Sequence, residues 1–348
     1  MTTPARKQYL DIKNQHLGEI LLFRMGDFYE TFDDDARIMA RELEIALTSR
    51  EMGKGNRVPL AGIPYHSLDS YLARLIKKGY KAAICEQTSD PATSKGLVDR
   101  EVVRVVTPGT VIEEIILETA ANNYLASVVM DGQNVGLAYM DITTSEFATT
   151  QFSQSTLSDE LSRLNPAELL VSRDTEPIGG FKDMTVSHLE ATAFHPDFSR
   201  ERLLKHFSVT TLEAFGCESL PLAIRAAGAI LYYLEHKQKD ILRQITSLHT
   251  YSTNAYMPLD LQTRHNLELF EGGRWRETGV SLLSVIDHTR TPMGARLLRR
   301  WLGQPLLDFD LLIERQNGVE WFHHSTARRG RVATELRNVS DLERLVNR

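Results

Sequence analysis

Cysteine is nearly absent. The 348 residues hold only Cys85 and Cys217, far apart and without a Cys-x-x-Cys spacing, so neither a disulfide framework nor a thiolate zinc site is supported. Long apolar runs are absent too, and Met1-Thr-Thr-Pro-Ala-Arg6 leads into no hydrophobic segment of the kind a secretory signal needs. A soluble, cytoplasmic protein with two reduced thiols is expected. There is no Gly-x-x-x-x-Gly-Lys-Ser/Thr phosphate loop, no His-Glu-x-x-His among the eleven histidines and no Gly-x-Ser-x-Gly elbow. Nor is there an excess of positive charge. The formal charge of −6, from 40 Lys+Arg against 46 Asp+Glu, argues against a generally sticky nucleic-acid binder. The deficit falls in the middle of the chain, and no lysine follows Lys239, so arginine supplies every strong base of the last segment.

What is present is ordinary globular composition, 42% hydrophobic and 25% charged, in a chain long enough for two or three domains. Its organising stretch is Ile20-Leu-Leu-Phe-Arg-Met-Gly-Asp-Phe-Tyr-Glu-Thr-Phe32. An apolar run meets a Gly-Asp break and continues as Phe28-Tyr29-Glu30. If the second half is extended, Phe28 and Glu30 share one face and Tyr29 and Thr31 the other. A ring beside a carboxylate on a stiff strand suits a protein that wedges into stacked bases and tests an edge. An aromatic in an apolar strand is ordinarily core. Glu30 weighs against that here, because a carboxylate on a buried face without an evident cationic neighbour costs several kcal/mol (order of magnitude).

Read in order, residues 5–16 form a leading helix and 20–32 a strand pair or bent strand. The acids Asp33-Asp34-Asp35 precede helical 36–43; a divalent-cation site is conceivable, but acids at a helix N-terminus explain them better. A strand over 44–50 and an exposed loop over 51–57 follow. Residues 58–66 are too rich in Pro and Gly for a regular element. Ser67 caps a helix running to Lys78, and strands at 80–87 and 101–106 complete a mixed-sheet α/β domain, with polar 90–99 between them. A three-strand meander is expected at 124–130, 135–140 and 146–151, then a helix at 156–164, a strand at 168–172, a polar stretch to Arg200, and helices at 201–207 and 220–239. That order fits an RNase H-like layout. From Leu259 the apolar spacing is helical throughout, with Thr291-Pro292 as a helix start, Gly303-Gln-Pro305 as a stop, and further helices at 313–322 and 332–346. The fold class expected is multidomain α/β plus α. One enzymatic constellation stands out: Asp141 and Glu146 at strand ends of the middle unit, where an RNase H-like nuclease would hold magnesium. Acids in a turn after a strand account for the same residues, and no catalytic or metal-ligating residue is expected.

Several segments together resemble a known family. Phe23-Arg-Met-Gly-Asp-Phe-Tyr-Glu30, Leu60-Ala-Gly-Ile-Pro-Tyr-His66, Ala83-Ile-Cys-Glu-Gln87, Arg104-Val-Val-Thr-Pro-Gly-Thr110, Leu259-Asp-Leu-Gln-Thr-Arg264, Ser281-Leu-Leu-Ser-Val285, Met293-Gly-Ala-Arg-Leu-Leu-Arg-Arg-Trp-Leu302 and Asp341-Leu-Glu-Arg344 are similar, in order, to signatures of bacterial MutS, the DNA mismatch repair family. The resemblance implies a mismatch-recognition domain over 1–113, an RNase H-like connector over 114–256 and an incomplete helical core domain over 257–348. The family's clamp, the rest of its core and its ATPase would follow Arg348, so an N-terminal portion is expected. ATP and magnesium then belong to the full-length family and no cofactor to this chain.

The resemblance assigns mismatch binding to Phe28 and Glu30. Phe28 would enter from the minor groove and stack on a mispaired or unpaired base; Glu30 would hydrogen-bond that base, with proton uptake on binding letting it donate to a ring nitrogen. Phosphate contacts are expected from Arg50, Lys54, Arg57, His66 and Lys95, in or beside loops. The implied partners are double-stranded DNA with mismatches or small insertion/deletion loops, MutL through the connector, and a second copy in the full-length family, this portion being monomeric. A cytoplasmic, nucleoid-associated location follows. The alternatives from other classes are the magnesium-dependent nuclease and an interaction scaffold without DNA binding.

Overall fold

A computed structural model describes residues 3–53, 55, 57–88, 98–175, 184–270 and 280–347. Two compact units divide it: the described residues of Met1–Leu117 with Leu234–Asp240, and those of Glu118–Tyr233 with Ile241–Arg348.

The first unit runs α1 (Pro4–Lys13), β1 (Ile20–Met25), β2 (Phe28–Phe32), α2 (Asp33–Leu43), β3 (Thr48–Glu51), β4 (Arg57–Pro64), α3 (Leu68–Lys77), β5 (Ala82–Gln87) and β6 (Arg100–Val106). Its mixed sheet has the order β3-β4-β2-β1-β5-β6, with β1 and β5 parallel and the other neighbours antiparallel. Alternation along the strands splits the apolar residues into two clusters, one on each face. Leu22, Tyr29, Ala61, Ile63 and Ile84 join Met39 and Leu43 of α2 and Leu72 and Leu75 of α3. On the other face Leu21, Phe23, Phe32, Val58 and Cys85 meet Tyr9 of α1. Two of the three successive acids serve this packing, while Asp34 is exposed and pairs with Arg37 of its own helix. Asp33 pairs with Arg6, while Asp35 takes Lys13 Nζ at 2.8 Å and the backbone N–H of Leu21 at 2.9 Å.

Two expectations for this unit need correction. Residues 57–64 form an internal strand despite Pro59, Gly62 and Pro64. Pro64 ends the strand, so its missing donor costs little, and the next N–H, of Tyr65, reaches Asp27 O at 2.9 Å. Ser67 stands at the N-cap of α3 but makes no side-chain capping bond. The polar stretch 90–99 lies mostly outside the described residues.

The second unit continues with β7 (Leu125–Asp131), β8 (Asn134–Asp141), β9 (Glu146–Ser153), α4 (Leu157–Leu164), β10 (Glu168–Ser172), β11 (Thr185–Leu189), α5 (Pro196–Phe207), α6 (Pro221–Lys237) and β12 (His249–Thr250). The sheet order is β11-β10-β7-β8-β9-β12. The β7–β8–β9 meander is antiparallel, and β10 lies parallel to both β7 and β11. That is the three-two-one-four-five order of an RNase H-like sheet, with β12 added at one edge. Helix α4 covers one face through Leu157, Leu161 and Leu164. On β8, Gly136 admits the backbone of α6 so closely that a Cβ would stand 2.1 Å from Leu222 O. The last turn of α6 counts with the first unit, where Lys237 Nζ meets Glu19 Oε1 at 2.5 Å and Gln238 Nε2 donates to Thr110 O at 2.9 Å.

The chain closes with α7 (Leu261–Asn266), α8 (Leu282–Ile286), α9 (Pro292–Gly303), α10 (Phe309–His323), α11 (Thr326–Leu336) and α12 (Leu342–Val346). Thr291 Oγ1 caps α9 by accepting from Gly294 N, with Pro292 at the first helical position. Two features differ from expectation. The polar stretch after Arg173 contains β11 and an α5 that begins at Pro196. Residues 332–346 are not one helix, because Asp341 caps a separate α12 by accepting from Arg344 N. Among the described residues no helix is long and apolar enough to cross a membrane.

Candidate functional site

The β1–β2 hairpin places the candidate reader. Gly26 takes the first position of its two-residue turn with φ +61°, a region that glycine enters without strain. Met25 then pairs with Phe28, and Phe23 with Glu30. On its other side β2 pairs with β4, so Phe28 sits opposite Pro64 and Glu30 opposite Gly62. The hairpin end is therefore braced on both sides. Tyr29 faces the opposite way, buried, with its hydroxyl bonded to Glu86. Arg24 stacks on the Tyr65 ring with its Cζ 4.0 Å from the centroid, which ties the hairpin to the turn after β4.

Phe28 and Glu30 share one face, and their surroundings differ. Phe28 is 47% exposed. It lies at the end of the face whose other end is filled by Phe32, Phe23 and Tyr9. The Glu30 side chain is only 14% exposed, and its Oε2 accepts from Arg50 Nη1 at 2.6 Å. The cationic neighbour absent from the one-dimensional view is thus Arg50. By ladder register Arg50 stands beside Val58, well along β4 from Gly62. The short ribbon nevertheless curls over the sheet face: Met52 is buried with Phe23, and Arg50 Nη1 comes within 3.9 Å of Met25 Sδ. Strong twist is usual in two-stranded ribbons. Burial pushes the Glu30 carboxyl above its ordinary value, and the Arg50 charge pulls it part of the way back.

The other basic residues do not converge there. Arg57 pairs with Glu51 in the ladder and so alternates to the opposite side of the ribbon from Arg50; its guanidinium donates to Ser49 Oγ at 3.1 Å and Ser49 O at 3.3 Å. His66 is exposed in the turn after β4, edge-on to Tyr65. Lys54 and Lys95 lie outside the described residues. Sequence reasoning passed over Met25 and Arg24. Met25 was within reach, because two-fold alternation carried back across the Gly-Asp turn puts it beside Phe28.

Asp141 and Glu146 are brought together as direct ladder partners. Each is held by protein donors. Asp141 accepts from Asn122 Nδ2 (2.8 Å), Asn123 N (3.2 Å), Thr143 N (2.9 Å) and Thr143 Oγ1 (2.6 Å). Glu146 accepts from the Tyr124 hydroxyl at 3.1 Å and faces Arg300 Nη1 at 3.4 Å. Among the described residues no group of three His, Cys, Asp or Glu is placed to hold a metal ion. The pair fits a structural turn, fixing residues 122–123 onto the end of the meander.

A mixed-sheet unit with a braced Phe-x-Glu hairpin, followed by an RNase H-like sheet and helices, defines a multidomain α/β plus α protein of the kind the sequence signatures suggest. Residues 3–115 match the family model for MutS domain I, residues 123–248 that for MutS domain II, and residues 262–348 that for MutS domain III. The chain is 52% identical over its whole length to the DNA mismatch repair protein MutS of Dehalococcoides mccartyi (strain CBDB1), covering 41% of that protein. It is 46% identical to the MutS of Acaryochloris marina (99% of this chain, 41% of that one) and 44% identical to that of Halothermothrix orenii (99% and 39%). The chain belongs to the MutS family and carries its domains I, II and III in order. It spans about two fifths of the length of these curated relatives.

Proposed function

We propose that this chain recognises base-pairing defects in double-stranded DNA, with Phe28 as the wedge and Glu30 as the group that tests the displaced base. The observation that carries the reading is the 47% exposed Phe28 ring at the braced end of a hairpin, on the same face as a carboxylate two residues on. Entering a stack costs a few kcal/mol per step (order of magnitude), and less where pairing is already broken. A wedge therefore prefers mispaired bases and small insertion/deletion loops. Glu30, half withdrawn and with its carboxyl raised by burial, protonates more readily than an exposed glutamate and then donates to a ring nitrogen. Arg57 and His66, with Lys54 and Lys95, supply phosphate contacts that position the duplex without reading it, and Arg50, paired with Glu30, supplies another contact to the backbone.

The activity is binding, not catalysis. Nucleotide and magnesium chemistry, dimerisation and clamp closure belong to parts of the family's longer proteins outside these residues, with domain boundaries near 113 and 256 in this chain. The connector is the surface for MutL, and the setting is the cytoplasm at the nucleoid. The test is anisotropy titration of matched, G·T and one-base-loop duplexes over a salt series. Phe28→Ala removes a base-aromatic stack worth roughly 1–3 kcal/mol, so affinity for the defective duplexes falls about 5- to 150-fold while the matched duplex changes little. Equal binding of all duplexes by the unaltered chain would favour an interaction scaffold. Magnesium-dependent cleavage abolished by Asp141→Asn would favour a nuclease.

A further inference from the structure

The ion pair on the reader is strange if Glu30 is there only to meet a base. Its carboxylate is already held by Arg50 at 2.6 Å, with the Arg50 side chain 46% exposed and that of Glu30 14%. Arg50 is thus a cation at the rim whose charge is engaged inward, and Glu30 an anion shielded by it. Arg50 reaches Glu30 because the ribbon curls over the face. The strand position opposite Glu30 is Gly62, which places no side chain beside Glu30; a Cβ there would touch Glu30 Cγ at 3.6 Å, in ordinary van der Waals contact.

We propose that Arg50 is a specificity-determining latch on Glu30, holding it until a base displaced by Phe28 takes its place and frees the guanidinium for a phosphate. The inference rests on the mismatch-reading function above. Against an intact duplex Phe28 stays outside the stack, no base edge competes for Glu30, and the ion pair persists. Such DNA then gains neither the Glu30 contact nor the Arg50 contact. Where Phe28 enters, the base replaces Arg50 as the partner of Glu30, and the released fork of guanidinium donors turns to the backbone. Two contacts thus form together, and only after the wedge has entered. An arginine fixed on phosphate from the start would strengthen matched and mismatched binding alike.

A double-mutant cycle read as the ratio of G·T to matched affinity separates the two roles. In the full chain Arg50→Gln lowers that ratio about tenfold, the scale of one lost specific polar contact. In a Glu30→Gln background, where nothing is left to latch, the same change moves the ratio less than about twofold. Arg50→Lys keeps a point charge but not the fork and recovers part of the ratio. Thermal unfolding of each variant shows that the domain is folded. An equal loss on both duplexes in both backgrounds, with the salt slope reduced by about one, overturns the latch and leaves Arg50 an ordinary phosphate contact. A ratio near one for the unaltered chain is a different failure, that of the mismatch-reading function itself.

Discussion

Arg296 and Asp341 form a two-pronged ion pair, Nη1 to Oδ2 at 2.8 Å and Nη2 to Oδ1 at 2.7 Å, with the arginine side chain only 3% exposed. The remaining donors of Arg296 go to Glu343 Oε2 and to the backbone carbonyl of Thr119. Arg344, also buried, donates to the carbonyls of Glu118 and Ala121. Residues 118–121 have little regular structure to satisfy their carbonyls, and two arginines more than 170 residues downstream do so. Just beyond, Asp141 holds Asn122 and Asn123. The leading segment of the second unit is thus held at successive points by residues remote in sequence.

From this clasp follows the first prediction. Arg344→Ala leaves the Glu118 and Ala121 carbonyls without those donors, so hydrogen exchange across 118–123 accelerates about tenfold. Binding of mismatched duplex by the first unit is unaltered. Asp341→Ala is costlier, because it strips the two-pronged partner from a buried guanidinium; about 3 kcal/mol of stability is lost. Unchanged exchange in Arg344→Ala, followed by mass spectrometry, would show that the contacts do not restrain the segment.

The acid sensitivity of the first unit provides the second. Burial alone would raise the Glu19 carboxyl, but the nearby His16, its Nδ1 3.7 Å from Oε2, and the hydrogen bond and charge of Lys237 outweigh it and bring the value down to about 2. A depressed carboxylate stabilises the fold above its unfolded value of about 4.3 and loses that contribution as the pH falls towards 2. Glu19→Gln is therefore less stable than the unaltered chain at pH 7, and the gap closes between about pH 5 and pH 2. Parallel urea curves at the two pH values check it; a constant gap would refute it.

How much of this was visible beforehand depends on the range over which each feature is set. The Phe28–Glu30 face, the meander and the capped α9 rest on two-fold alternation, turn residues and a Thr-Pro start, all written within a dozen residues. β4 was hidden because Pro59, Gly62 and Pro64 suppress local strand preference, and its neighbours on both sides override it. β11 was hidden because one face of it carries polar residues, and its pairing with β10 is what makes it a strand. The Arg50–Glu30 pair could not be read at all: register puts the two apart, and only the curl of a ribbon brings them together.

Close backbone approach gives a third prediction. A Cβ on Gly136 would stand 2.1 Å from Leu222 O and 2.7 Å from Ala223 N, both backbone atoms of α6. No rotamer change relieves such a clash, so α6 must move off the sheet, and Thr149 Oγ1 loses its contact with Ala223 O at 3.0 Å, keeping only Leu137 O of its own sheet. Gly136→Ala should cost about 3 kcal/mol or more, seen as a lower urea midpoint for the second unit. An unshifted midpoint would mean that the helix yields freely there.

The last prediction separates positioning from reading. Arg57 is exposed, and its bonds to Ser49 Oγ and Ser49 O hold the guanidinium on the side of the ribbon away from Arg50 and Glu30. If it meets a phosphate, Arg57→Ala releases one fewer counterion on binding. Affinity then falls by the same factor on matched, G·T and looped duplexes, and the slope of log affinity against log salt shrinks by about 0.9. A solvated surface charge leaves the slope where it was. A change in preference between duplexes would be harder to reconcile, since this guanidinium lies across the ribbon from the only ring and carboxylate assigned to the base.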